Sequence, residues 1–278
     1  MSSHSILPSI RSVQAGLFFI RASARAVAEN RSLRGVVELL LVGDDVQNRA
    51  EVESELAHAL QPENLFVAVT CADSVEAYFN RERLSFNRIA VSVDALSVIE
   101  AESDWDRLPV TLEGARATDL LDCCIRIGET GDLASIGDVN EVHPSAARVM
   151  SLPRRDSMHR LTQLLVSRHV VEGLRSLDAL GLMQILLPEI SGLKGFHLTS
   201  PHHHKDVYEH TLQVVSQAVP TPLVRWSALL HDIGKLHTRS FTPDGQVHFF
   251  KHDEVGAYLS DGVMARLSFP REVSTSIH

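Results

Sequence analysis

The chain has 278 residues, which favours two domains because single domains most often run to about 100–150 residues. An apolar fraction of 44% excludes a disordered chain, and three cysteines exclude a small fold built on disulfides. Residues 1–150 carry 13 Arg, no Lys and 23 acidic residues, so this half is a poor general binder of nucleic acid. The apolar runs are far shorter than the roughly 20 residues of a membrane span, and no charged-then-apolar leader opens the chain. We therefore expect a cytoplasmic protein that binds no membrane.

Apolar runs alternate with helix-like stretches in the first half, which predicts an α/β or α+β unit. Helices are predicted over 22–30 and after Gly43, where Asp44 or Asp45 is a candidate N-cap and Pro62 ends the helix. The predicted strands are short apolar runs at 17–20, 36–42, 65–70, 89–93 and 123–127. The last of these contains Cys123 and Cys124, for which core packing is favoured over a redox pair.

From about residue 145 the apolar residues recur at intervals of three and four, as they do in amphipathic helices. The leucines between residues 161 and 187 follow this spacing, and Pro188 ends the run. Few strand signals occur in this half. The sequence therefore predicts an α+β protein, with an α/β head followed by an all-helical part.

Histidines are concentrated in one stretch, since nine of the 15 fall between residues 197 and 252. His210 shares a predicted helix face with Val207 and Thr211, so we expect a buried imidazole that needs a partner. A second predicted helix ends at His231 and Asp232, and Gly234 then stands where a C-terminal cap favours a positive φ. The run 202–204 adds three histidines, which are either a loose metal or phosphate contact or an exposed helix start.

An adjacent His–Asp pair reaches one ion only near the end of a helix and with ligands from another element. The helix that bears His210 can supply such a ligand. A divalent ion held in this way lowers the pKa of a bound water and polarises a phosphoryl oxygen, as phosphoester hydrolysis at neutral pH requires. For a lone His–Asp pair, a hydrogen-bonded core histidine is the alternative.

Three segments together resemble a known family: Tyr-Glu-His-Thr at 208–211, Ala-Leu-Leu-His-Asp-Ile-Gly-Lys at 228–235 and Asp-Gly-Gln-Val-His-Phe-Phe-Lys-His at 244–252. They look like the HD phosphohydrolase domain of tRNA nucleotidyltransferases, the CCA-adding and poly(A) polymerase family. The stretch 173–190 resembles the helical neck that leads into that domain. The resemblance implies a nucleotidyltransferase-like head at 1–145, a neck at 146–195 and an HD domain at 196–278 that lacks the family's later helices.

The resemblance also implies roles for five residues. His210, His231 and Asp232 become ligands of a divalent metal ion (Mg, Mn, Ni or Fe), while Lys235 and His252 become catalytic site residues that contact phosphate. The implied activity is metal-dependent hydrolysis of phosphoesters, namely nucleotides or RNA ends, and the implied macromolecular partner is tRNA. HD proteins generally complete the metal site with an aspartate from a later helix. Here either Asp253 or Asp261 substitutes for it, or the chain is a truncated product with a weakened site.

The head departs from the same family at the residues that carry nucleotide transfer. Arg21 and Ala22 stand where the family has two small glycine-like residues, and Val36 replaces one of two metal-binding carboxylates, which leaves Glu38. Ala117 and Thr118 replace phosphate-binding arginines. We therefore expect no nucleotide transfer. The alternative function is a non-catalytic or truncated relative of tRNA nucleotidyltransferases that binds RNA in tRNA processing.

Overall fold

The computed structural model of the chain describes residues 3–13, 17–29, 31–42, 49–60, 65–82, 87, 89–93, 95–100, 115–133, 145–195, 206–243 and 247–270. The predicted N-caps at 44–45 and the histidine run at 202–204 lie outside these ranges. Contacts divide the chain into two compact units, Met1–Val110 and Thr111–His278. Within the described ranges no helix is both long and apolar enough to cross a membrane.

The first unit is built on one mixed sheet of five strands: β1 (Leu17–Ile20), β2 (Val36–Val42), β3 (Phe66–Ala72), β4 (Ile89–Ser92) and β5 (Val98–Glu100). Their order is β3-β2-β1-β4-β5, in which β2 and β3 are parallel and the other neighbours are antiparallel. The first four strands confirm the predictions, whereas β5 is too short to show a pattern. The helices of this unit are α1 (Ser3–Val13), α2 (Arg21–Ala28), α3 (Arg49–Leu60) and α4 (Val75–Arg81).

Strand β2 is apolar on both faces because helices cover the sheet from both sides. Val37 and Leu39 belong to a core with Leu56 of α3, while Leu40 belongs to a second core with Tyr78 of α4. Glu38 is the polar exception in this strand. An acidic side chain in such a strand needs a partner, which Arg21 at the start of α2 supplies as described below.

In its described residues the second unit is helical except for one hairpin, which confirms the predicted fold class. Strands β6 (Arg239–Phe241) and β7 (Val247–Phe249) pair antiparallel, and strands of three residues leave no alternation to recognise in a sequence. The helices are α5 (Ala117–Thr130), α6 (Arg154–Leu165), α7 (Val170–Ala179), α8 (Leu182–Leu186), α9 (Pro188–Ser191), α10 (Val207–Gln217), α11 (Pro222–Leu230), α12 (Lys235–Thr238) and α13 (His252–Arg266), with a 3-10 helix at Ala146–Ser151.

The predicted strand at 123–127 is wrong, because these residues belong to helix α5. All residues from Leu120 to Gly128 are buried, and a short apolar run such as 123–127 reads equally as a buried strand or as part of a buried helix. Helix α5 packs against α6 and α7 of the second unit, although the sequence placed it with the first domain. Asp122 is satisfied inside this packing by Arg160 of α6, whose Nε lies 2.8 Å from Asp122 Oδ1.

Trp226 anchors α11 in the core of the second unit. Its side chain is fully buried, its Nε1 donates to Thr162 Oγ1 at 2.9 Å, and its ring meets Phe269 edge-on at 5.1 Å. A buried indole N–H needs such an acceptor. Because Thr162 belongs to α6, the position of the His–Asp segment that follows α11 depends on the neck helices.

Helix α13 begins against the turn that follows α11. Gly234 in this turn has φ −64°, so the predicted positive φ is wrong. The glycine is required by space instead, since a Cβ here would lie 1.9 Å from the carbonyl oxygen of His252 and 2.6 Å from the nitrogen of Gly256. The backbones of the turn and of α13 are therefore in direct contact.

The variant Gly234→Ala is expected to destabilise the second unit by about 2–3 kcal/mol, because the added methyl forces two backbones apart. Gly262→Ala is the control, since a Cβ at Gly262 of α13 meets nothing within 4 Å. This control is expected to gain roughly 0.5–1 kcal/mol from helix propensity. Urea unfolding followed by circular dichroism measures both, and equal midpoints would contradict the packing described.

The three free thiols are expected to differ in reactivity. Burial raises the pKa of Cys124 to about 12. Burial also raises the pKa of Cys123 and that of Cys71, which is less buried. Because the thiolate is the reactive form, iodoacetamide at pH 8 should modify Cys71 slowly and leave Cys123 and Cys124 intact until the protein unfolds. Peptide mass mapping reads out each site, and modification of Cys123 or Cys124 in the folded protein would refute this expectation.

Candidate metal centre

Helix α10 presents His210 at the edge of its buried face. Asp206 caps the helix, because its Oδ1 accepts from the backbone nitrogen of Tyr208 at 2.8 Å. Val207 and Thr211 are buried, but the side chain of His210 is 40% exposed. The expectation of a buried imidazole is therefore wrong, since the buried stripe is centred beside His210 rather than on it. The ring stands at the surface of the unit, where a small molecule can reach it.

Helix α11 ends directly before His231 and Asp232, as the sequence predicted. Pro222 occupies the first turn, the helix ends at Leu230, and His231 follows as the C-cap. Asp232 is 2% exposed, whereas the side chain of His231 is 33% exposed. The two neighbours thus separate into a buried carboxylate and an accessible imidazole.

Two imidazoles and one ammonium group converge on a single carboxylate oxygen. Asp232 Oδ2 lies 3.8 Å from His210 Nε2, 3.2 Å from His231 Nε2 and 2.7 Å from Lys235 Nζ. The rings of His210 and His231 meet edge-on with their centroids 5.6 Å apart. Elements α10, α11 and α12 therefore meet at Asp232.

The surroundings of Asp232 favour its charged form. Burial by itself favours the neutral acid, but hydrogen bonds from His231 and Lys235 and their positive charges outweigh it and lower the pKa of Asp232 to about 2. At His231 burial favours the neutral ring, but the hydrogen bond to Asp232 and its negative charge prevail and raise the pKa of the imidazole. Asp232 is thus negatively charged at neutral pH, and the ammonium group of Lys235 balances that charge.

His210, His231 and Asp232 fit a divalent metal ion. Each offers one ligand atom, and these atoms all lie within 4.8 Å of one another. His231 Nδ1 lies 2.8 Å from the carbonyl oxygen of Ala228, which only a ring N–H can satisfy, so Nε2 is the nitrogen left for a ligand role. Two imidazole nitrogens and a carboxylate oxygen form a donor set typical of Zn, Fe, Ni or Mn sites.

Lys235 lies beside the carboxylate of Asp232, and its Nζ donates to Asp232 Oδ2 at 2.7 Å. His252 lies at the start of α13, and its Nδ1 is 2.9 Å from the carbonyl oxygen of Phe249. Its backbone carbonyl faces Gly234 of the metal-site turn. Among the described residues, the side chains that group as possible ligands are His210, His231 and Asp232, so neither Asp253 nor Asp261 joins them.

In the first unit, Arg21 occupies the space between two carboxylates. Its Nη1 lies 3.4 Å from Glu38 Oε1 and its Nη2 lies 2.8 Å from Glu82 Oε1, while Asn87 Nδ2 donates to Glu82 Oε2 at 3.2 Å. The backbone of Arg21 has φ +51°, a conformation that favours glycine. Glu82 was not predicted, because it is 61 residues from Arg21 in sequence and carries no motif.

Comparison with known proteins shows which domain family and which relatives the sequence resembles. The HD domain model matches residues 207–277. The CC-adding tRNA nucleotidyltransferase of Thermus thermophilus is 39% identical over 140 residues, or 48% of this chain and 31% of that protein. The A-adding tRNA nucleotidyltransferase of Deinococcus radiodurans is 38% identical over 122 residues, or 42% of this chain and 27% of that protein. The chain thus spans less than a third of the length of these relatives.

Among solved structures, a tRNA nucleotidyltransferase complexed with a primer tRNA and an incoming ATP analog aligns with 98% of this chain and 82% of its own, at 14% identity and a TM-score of 0.40. A tRNA-processing enzyme in an apo form aligns with 98% of this chain and 79% of its own, at 15% identity and a TM-score of 0.38. The matched region includes the motifs at 208–211 and 228–235. Residues 207–277 therefore match an HD domain, and the chain is a relative of the CC-adding and A-adding tRNA nucleotidyltransferases.

Proposed function

We propose that the chain is a metal-dependent phosphohydrolase of the HD type that acts on phosphoesters of nucleotides or RNA ends. The observation that carries the proposal is the convergence of His210 and His231 on one oxygen of Asp232, beside Lys235. A divalent ion there supplies a bound water of lowered pKa and polarises a phosphoryl oxygen. The names of the relatives support a place in tRNA processing, with tRNA or an RNA end as the partner. We propose the cytoplasm as the location.

In this proposal each residue of the centre has a separate task. His210, His231 and Asp232 hold the ion, and the carbonyl of Ala228 keeps the ring of His231 in the orientation that ligation requires. Lys235 balances the charge of Asp232 and contacts a phosphate oxygen of the substrate. His252, oriented by the carbonyl of Phe249, contacts the same phosphate from the start of α13.

The variants His231→Ala and Asp232→Asn are expected to lower hydrolysis of 2′,3′-cyclic nucleotides and p-nitrophenyl phosphate about 10²-fold or more, because each removes a ligand of the ion. His237→Ala is the control, since His237 is an exposed histidine close by in the chain. Purified protein is assayed with Mg, Mn, Ni and Co, and its metal content is measured by mass spectrometry. A wild-type chain with neither turnover nor bound metal would refute the proposal.

We expect no addition of nucleotides to tRNA by the first unit. Two-metal nucleotidyl transfer needs two convergent carboxylates, but Val36 stands at one of the expected positions and the guanidinium of Arg21 is paired with Glu38. Loss of one such ligand lowers the rate by about three decades or more. Labelled ATP is incubated with tRNA lacking its 3′ end, alongside an active nucleotidyltransferase as positive control. Incorporation that Glu38→Ala abolishes would contradict this prediction.

A further inference from the structure

The β6–β7 hairpin carries exposed aromatic rings on both of its faces. Residues paired directly across antiparallel strands share a face, and alternate residues of one strand do so as well. Arg239 pairs with Phe249 and Phe241 pairs with Val247, so these four side chains lie on one face. His248 lies on the other face, where its ring stacks on Phe250 at 5.1 Å with an interplanar angle of 10°.

The face that carries Arg239 and Phe249 begins next to the metal centre. Lys235 Nζ, which donates a hydrogen bond to Asp232, lies 5.7 Å from the centre of the Phe249 ring. The next side chain along the face is Arg239, paired across from Phe249, and its guanidinium carbon lies 5.0 Å from the centre of the Phe241 ring. Cations and rings thus alternate outward from Asp232. We call Lys235, Phe249, Arg239 and Phe241 the hairpin track.

The outer end of the hairpin track faces solvent. Phe241 is 63% exposed, whereas Phe249 and Arg239 are half-buried. An exposed phenyl ring held under a guanidinium presents its second face to a planar ligand. The ring is therefore placed for stacking rather than for packing in a core.

The charge of this region opposes that of the chain as a whole. Residues 235–252 include three Lys or Arg side chains and one acidic residue, Asp244, in a protein of net charge −9. The stretch therefore carries a net charge of +2, three positive minus one negative. The outward face of the centre thus complements a polyanion, and its rings complement planar bases.

We propose that the hairpin track binds single-stranded RNA and leads its terminal phosphate to the His210–His231–Asp232 centre. In this arrangement Arg239 contacts a backbone phosphate, and a base stacks on Phe241. This inference rests on the proposed function for the identity of the strand, because the centre it leads to is the proposed phosphoesterase site. Sequence-tolerant binding of single strands commonly combines these two features, cations for phosphates and rings for bases.

The test measures RNA binding without turnover. A fluorescein-labelled oligoribonucleotide of about eight nucleotides is titrated with the full chain in EDTA and followed by anisotropy. Phe241→Ala should weaken binding about 5- to 100-fold, the range for loss of one base stack, while Phe241→Trp retains it. Arg239→Gln should reduce the slope of log K against log salt by roughly 0.7, the contribution of one phosphate. Phe250→Ala is the matched control, because Phe250 is 70% exposed on the opposite face.

Each result supports or overturns the proposal. Weaker binding in Phe241→Ala together with unchanged binding in Phe250→Ala supports the hairpin track. Equal binding in both variants, or an equal loss in both, overturns it. A DNA strand of the same sequence that binds as well as RNA overturns the choice of RNA. A change of oligomeric state in Phe241→Ala, measured by sedimentation, overturns it in favour of a contact between copies of the chain.

The binding and hydrolysis experiments fail independently. If metal-dependent turnover is absent but Phe241→Ala weakens RNA binding, the result supports RNA binding by the hairpin track and refutes the proposed phosphohydrolase activity. If hydrolysis of p-nitrophenyl phosphate depends on His231 but Phe241→Ala leaves RNA binding unchanged, only the proposed RNA binding by the hairpin track is refuted. Circular dichroism melts check that the variants are folded, as expected for a ring that is largely exposed.

Discussion

The buried charge of Asp232 is the constraint on which the second unit's functional end depends. A carboxylate that is 2% exposed is costly unless it is paired, and here an ammonium and two imidazoles surround one of its oxygens. The partners come from α10, from the end of α11 and from α12, so these elements must meet at one point. The same arrangement suits an ion, because a divalent metal satisfies that charge with the same ligand atoms. Structural and functional requirements therefore coincide at this residue.

The elements that follow the centre are held to it by backbone contact. Gly234 lets α13 approach so closely that no side chain fits between the turn and His252. Lys251 adopts φ +60°, a left-handed conformation that costs roughly 1–2 kcal/mol in a residue other than glycine, and it joins β7 to α13. The hairpin is thus fixed against the turn that bears Asp232. A substrate strand on the hairpin would meet the centre in a defined register.

Charge is satisfied differently in the first unit. There the acidic side chains Glu38 and Glu82 share the guanidinium of Arg21, and all three side chains are at most 17% exposed. A protein side chain thus supplies the positive charge that these two carboxylates need. The pairing stabilises two acidic side chains that are otherwise costly to bury in the first unit.

The sequence by itself determined the first four strands of the sheet, the helical nature of the second half and the His–Asp pair at a helix end. These features are local, because periodicity and motif spacing record them within a few residues. Only the tertiary structure decided that His210 is exposed, that residues 123–127 form a helix and that Arg21 meets Glu82 across 61 residues. The hairpin track likewise depends on pairing Arg239 with Phe249. Which face is covered, and which distant residues meet, depends on packing between elements, and no local pattern in the chain encodes that packing.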